Sequence, residues 1–241
     1  MRSIYFCLGF LLLAVTGFGQ RTIHGDGSDY NETRNITSFD KLHNSISAEV
    51  ILQKGTGYSV KIEGEKNVVQ ELVTEVRDGE LSIKFPWMKN IQMTRPLRVF
   101  VTMPNDHDLK EISNSGSGGI LSKDRFKTGN MSLHNSGSGG IAVMLDAEEL
   151  DLGMSGSGHI DIKGQAHSLH CNISGSGSVR GDELAVQEHS EIHISGSGSC
   201  TVHTDGVLEG RISGSGDIRY LGNPSSVNVS HSGSGRAHKV S

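Results

Sequence analysis

Beyond its first nineteen residues the sequence has no long apolar run, so no later segment is expected to cross a bilayer as a helix. Basic charge is scarce as well: 22 lysines and arginines stand against 27 acidic residues, a formal net charge of −5. That balance argues against nucleic acid as a partner. Prolines number only four, so the glycine excess described below is not accompanied by proline. Cysteine is sparse too. Of three, Cys7 lies in the first nineteen residues, and Cys171 and Cys200 are left for the folded part.

Residues 1–19 read as an export signal, with Arg2 as the positive start and Ile4 to Val15 as an apolar stretch. Gly17 and Gly19 supply the small residues before a predicted cleavage between Gly19 and Gln20. Cys7 sits inside the apolar stretch rather than at its end, which disfavours a lipid-modified N-terminus. Export into the periplasm or to the outer surface of a Gram-negative bacterium is therefore expected, an oxidising setting for the two remaining thiols.

What the sequence does have is glycine, 32 of 241 residues, against about 7% in ordinary proteins. Much of it falls in seven Ser-Gly-Ser-Gly tetrads. Their first glycines are Gly116, Gly137, Gly156, Gly175, Gly196, Gly214 and Gly233, spaced 18 to 21 residues apart. A period of this length is the mark of stacked repeats. Four positions before each first glycine stand Ile112, Leu133, Leu152, Cys171, Ile192, Gly210 and Val229; four after it stand Ile120, Ile141, Ile160, Val179, Cys200, Ile218 and Ala237. Both columns are overwhelmingly apolar. With Asn114, Asn135, Met154, Ile173, Ile194, Ile212 and His231 two before the first glycine, the even positions share one face, while odd positions carry Ser, Asp, Glu, His and Arg. Period two is the pattern of a strand with one buried side. A flexible linker shows no such alternation.

With no helical pattern between the copies, the strands are expected to stack in parallel about 4.8 Å apart. The predicted fold is all-β, a single-chain right-handed parallel β-solenoid. Residues 111–241 form its seven coils, 36–110 its irregular capping coils, and 20–35 a polar tether. Within 36–110, "HNSISAEVILQ", "YSVKIEG", "RDGELSIKF" and "LRVFVTMP" read as strands, with a turn at Asp78-Gly79. "EKNVVQELVTEV" begins with helical spacing, and "MKNIQMTRP" reads as a loop. The tetrad glycines either leave a wall free of side chains, a gap filled from Phe126, Leu145, Leu169, Val186 and Leu208, or turn a corner with positive φ.

The serial tetrads followed by an apolar residue, as in "SGSGDIRYLGNP" at 213–224, resemble those of the putative auto-transporter adhesin, head GIN domain family of exported bacterial proteins. "FDKLHNSISAEVILQKG", "GELSIKF" and "VFVTMP" ahead of the first tetrad resemble it too, so the likeness covers nearly all of the chain after residue 19. The family's tetrad is commonly followed by Asp; here Gly119, Gly140, His159, Ser178, Ser199, Asp217 and Arg236 occupy that place. The resemblance implies a β-solenoid, export and an adhesive role, and it carries over no catalytic residues.

Twelve histidines invite a metal reading, but four residues along a strand span about 13 Å, whereas zinc ligands sit about 2 Å from their metal. His134, His159 and His193 fall in columns that stack no second histidine. One column does gather acids: Asp151, Glu191 and Glu209 stand five before their glycines, a stripe that would attract a cation or another ligand. Its plainer reading is an acidic solvated face. Asp161 with Arg180, and Asp217 with Arg236, stack as opposite charges one coil apart. Cys171 and Cys200 fall in different columns, which argues for two buried free thiols rather than a bridge.

The fourteen tetrad serines are too alike to supply one activated nucleophile. They suggest a hydroxyl ladder, either bonded from coil to coil or open to a ligand. These features point to a non-catalytic structural or adhesin-like rod at the cell envelope, without cofactor, its surface ligand a glycan or a protein. The alternative is a carbohydrate-active enzyme or glycan-binding module on a parallel β-helix, by analogy of fold.

Overall fold

The computed structural model describes residues 21–104 and 109–240. The expected export signal, with Gly19 and Gln20, lies outside the described residues. The N-terminal part holds β1 (Arg21–His24), β2 (Tyr30–Asn35), β3 (Lys41–Asn44), β4 (Glu49–Lys54) and β5 (Ser59–Gly64). One helical turn, α1 (Lys66–Val69), precedes β6 (Val73–Arg77), β7 (Glu80–Lys84), β8 (Lys89–Gln92) and β9 (Arg98–Met103). The repeats supply β10 (Glu111–Asn114), β11 (Ile120–Asn135), β12 (Gly140–Met154), β13 (His159–Ile173) and β14 (Ser178–Gly196). The last coils are β15 (Ser199–Thr204), β16 (Val207–Gly214), β17 (Asp217–Leu221), β18 (Ser226–Gly233) and β19 (Ala237–Lys239).

Seventeen of these strands form one sheet that winds as stacked parallel coils, a β-solenoid. The register follows the sequence columns residue for residue. Ile112 pairs with Leu133, Leu133 with Leu152, Leu152 with Cys171 and Cys171 with Ile192. After the tetrad, Ile120, Ile141, Ile160, Val179, Cys200 and Ile218 follow one another in the same way. These inward residues are buried, as are Phe126, Leu145, Leu169, Val186 and Leu208.

The tetrads themselves are corners, where the chain leaves the strand and bends. Each corner is bonded to the one before it through the backbone: the Gly158 amide donates to the Gly137 carbonyl at 3.3 Å, Gly177 to Gly156 at 3.1 Å and Gly216 to Gly196 at 3.1 Å. Side chains are excluded by the coil beneath, not by the opposite wall. A Cβ on Gly175 would lie 2.7 Å from the Gly156 carbonyl oxygen, closer than carbon and oxygen approach. In the last three corners the conformation adds a second reason, since Gly196, Gly214 and Gly233 have φ of 130°, 126° and 122°.

Beneath the first three corners runs a buried asparagine ladder. Asn44 Nδ2 donates to Asn114 Oδ1 at 2.9 Å, and Asn114 Nδ2 to Asn135 Oδ1 at 3.3 Å. The same amides reach the Gly118 and Gly139 carbonyls at 3.1 and 2.7 Å, so the buried polar groups are paired. From Met154 onward the column turns apolar, with Ile173, Ile194 and Ile212.

Two further coils precede the first tetrad. Leu81 of β7 pairs with Leu42 of β3, which pairs with Ile112; Val99 of β9 pairs with Val50 of β4, which pairs with Ile120. Ser45 to Ala48 form the corner here, which interrupts the strand expected over "HNSISAEVILQ". The N-terminal end is closed by antiparallel strands: β6 on β7, β5 on β9 and β2 on β5. The β6–β7 hairpin turns at Asp78 (φ 49°) and Gly79 (φ 80°), a conformation suited to Asp-Gly.

Two expectations are corrected. Residues expected to form a tether are strands: β1 pairs in parallel with β8, and β2 joins the main sheet. "MKNIQMTRP", expected as a loop, contains β8. A buried carboxylate explains why this segment is held. Glu65 accepts hydrogen bonds from the Thr94 hydroxyl and from the Gly27, Thr94 and Arg95 amides, the last three at 2.7, 2.9 and 3.3 Å. The Thr94 hydroxyl, followed by these amides, outweighs burial and lowers the Glu65 carboxyl to about 2.

Candidate functional site

The corners place two columns of side chains outward. Ser155, Ser174, Ser195 and Ser213 lie one above another, as do Ser157, Ser176, Ser197 and Ser215, and all are exposed. Among the described residues no tetrad serine bonds the serine of the next coil; the backbone ladder carries the links between corners. Ser115 of the first corner meets His43 Nε2 at 3.2 Å, whereas the hydroxyls of these two columns face solvent with their hydrogen-bonding capacity unspent.

Beside them, Asn172, His193 and Arg211 stack in register. With Ser174, Ser195 and Ser213, and with the buried Ile173 and Ile194, they line a groove of about 380 Å³. Arg211 has no ion pair among the described residues, so the groove presents a free guanidinium between hydroxyl and amide groups. Such a surface suits carboxylate or hydroxyl-rich ligands. Two other grooves differ in this respect. One, of about 380 Å³ around Asp146, Glu148 and His167, has Arg125 paired with Asp146 at 2.8 Å and His167 paired with Glu148. Another, of about 460 Å³ at the N-terminal end, has Arg95 bound to Asp29.

The acidic stripe is divided by histidine. Asp151 pairs with His170, His170 with Glu191, and Glu191 with Glu209. Glu191 turns its oxygens to His170 Nδ1 at 2.9 Å and His193 Nε2 at 3.5 Å. The His170 and His189 rings lie 6.3 Å apart. Stacking thus gathers histidines that strand spacing alone keeps apart, a grouping the column count missed because it followed single columns and not diagonals. No group of three or more His, Cys, Asp or Glu side chains among the described residues is arranged to hold a metal ion. His134 and His159 lie over Gly153 and Gly140 of adjoining coils.

Of the expected charge stacks, Arg180 Nη1 meets Asp161 Oδ2 at 3.2 Å. Asp217 instead accepts from the Arg236 backbone amide at 3.0 Å, while that guanidinium donates to the Gly233 and Gly235 carbonyls. Cys171 and Cys200 are free and buried. They are not far apart, as their columns suggested, because each corner folds the strand after it back toward the strand before it. The neighbouring Cys200 thiol, together with burial, pushes the Cys171 thiol well above its usual range. A thiol held protonated in this way is a poor nucleophile.

This architecture is shared. A putative adhesin from Bacteroides fragilis matches 90% of this chain and 100% of its own at a TM-score of 0.83 and 20% identity. A putative lipid binding protein from Parabacteroides distasonis matches 92% and 100% at 0.75 and 22%. A putative adhesin from Parabacteroides merdae matches 92% and 100% at 0.72 and 21%. No curated protein matches the chain. Identities this low speak for the fold alone, but the family model described as "Putative auto-transporter adhesin, head GIN domain" matches residues 38–224, and the chain belongs to that family.

Proposed function

We propose that this protein is an exported, non-catalytic, adhesin-like β-solenoid of the cell envelope that binds an extended glycan or protein through its outward corner face. The carrying observation is the row of exposed tetrad hydroxyls beside Asn172, His193 and Arg211, repeated at the spacing of the coils. A ligand with its own repeat can meet the same groups on successive coils, so weak contacts add along the rod. Similarity to solved proteins described as putative adhesins supports the reading. No acid lines the groove, whereas a paired-carboxylate hydrolase needs two acids flanking the bound substrate. No helix among the described residues is long and apolar enough to cross a membrane.

Binding to immobilised acidic and neutral polysaccharides and to surface proteins tests the proposal. Arg211→Ala and Ser195→Trp are expected to weaken capture by about tenfold or more, as removal of an interface arginine commonly does, with the unfolding midpoint unchanged. Unaltered capture in both variants overturns the assignment of this face. Release of new sugar ends that disappears in Asp151→Asn, Glu191→Gln or Glu209→Gln establishes the carbohydrate-active enzyme instead.

A further inference from the structure

In the coil formed by β7 and β9, residues 85–97 replace the corner that the tetrads make elsewhere. The excursion begins with "FPWM", four consecutive apolar residues between Lys84 and Lys89. Phe85, Ile91 and Met93 pack against the core and anchor it. Pro86 to Lys89 close a tight turn, with the Lys89 amide donating to the Pro86 carbonyl at 3.0 Å. At the tip, Trp87 is 92% exposed and Met88 51% exposed. Trp87 is the sole tryptophan of the chain, and burying an indole is among the largest single gains an apolar side chain offers.

We propose that this turn is a membrane-docking tip that seats Trp87 and Met88 in the interfacial layer of a lipid bilayer. Its shape favours that occupant. A sugar platform needs polar groups converging beside the ring, and none of the grooves described above includes Trp87. Trp87 and Met88 stand exposed at the tip of a closed turn, suited to entering a soft apolar layer. Tryptophan prefers that layer because its ring is apolar while its N–H reaches water. The flanking lysines are already matched, Lys84 by Glu75 at 2.9 Å and Lys89 by Glu71. Attraction to anionic lipid is therefore small, and docking rests on the apolar pair. Two side chains give reversible, peripheral binding rather than insertion.

The single indole reports on its own docking. Vesicles of phosphatidylcholine, and of phosphatidylethanolamine with phosphatidylglycerol, are added to the full chain without its export signal. Trp87 emission is expected to shift to the blue with both, to be quenched by bromine-labelled acyl chains, and to keep its shift at about 0.5 M salt, where surface charge is screened. Trp87→Ser should lower co-sedimentation with vesicles by about tenfold, and Met88→Ser should reduce the emission shift, with circular dichroism unchanged. Emission that stays at its hydrated position with every vesicle overturns the proposal. So does a blue shift that grows with protein concentration without lipid, which would assign the tip to a second copy of the chain.

Discussion

Gly158 and Gly129 illustrate opposite demands on one residue type. A Cβ at Gly158 would overlap the Gly139 carbonyl oxygen of the coil below and lie 2.6 Å from Asn135 Nδ2. A Cβ at Gly129 would meet nothing within 4 Å, and its φ is not positive. Gly158→Ala is expected to cost about 2–3 kcal/mol, because backbone on a stacked coil cannot step aside. Gly129→Ala should gain about 0.5 kcal/mol by removing freedom from the unfolded chain. Urea unfolding of the two variants measures both. Equal effects would mean that the close approach of the corners does not set the glycine requirement. Ser190 shows the limit of pattern reading at this scale. It occupies a buried place between Leu169 and Leu208 with its hydroxyl unpaired, and no neighbour in the structure accounts for the hydroxyl.

At the scale of elements, the N-terminal cap is tied by one carboxylate. Glu65, next to α1, holds the turn after β1 and the residues after β8 through four hydrogen bonds. Its carboxyl is lowered from an ordinary 4.5 to about 2, so the native state favours the ionised form. A depressed acid contributes its stability fully above the unfolded value and loses it as pH falls through the native one. The stability difference between the parent and Glu65→Gln, from urea unfolding, is thus expected to be constant above about pH 5 and to close as pH falls toward 2. A difference independent of pH would mean that the carboxylate charge is not what holds the segment. The asparagine ladder works similarly at the first three corners: Asn44, Asn114 and Asn135 bond one another and the corner carbonyls, which fixes the stacking of three coils by polar contacts where later coils use Met154 and isoleucines.

For the whole molecule, stacking makes each coil depend on its neighbours, so protection should vary along the rod. β12 and β13 are paired on both sides and are rich in buried residues. β18 alternates poorly and is mostly exposed, with Val227 41% exposed. Hydrogen exchange is expected to be slowest in β12 and β13 and fastest in β18 and β19, and a uniform rate would instead indicate one cooperative block. The coil-to-coil register was legible because period two within a strand and a period of 18 to 21 residues between strands leave one stacking that buries Leu133, Leu152 and Ile192 together. The sequence alone therefore determined the fold, the columns and the outward serines. Contacts across columns belong to the tertiary structure. The angle of the corner brought Cys171 to Cys200 and His170 and His193 to Glu191, and closure of the N-terminal end turned a polar segment into strands held by Glu65. No local pattern encodes such meetings, since each depends on how far the backbone bends between residues that are distant along the chain.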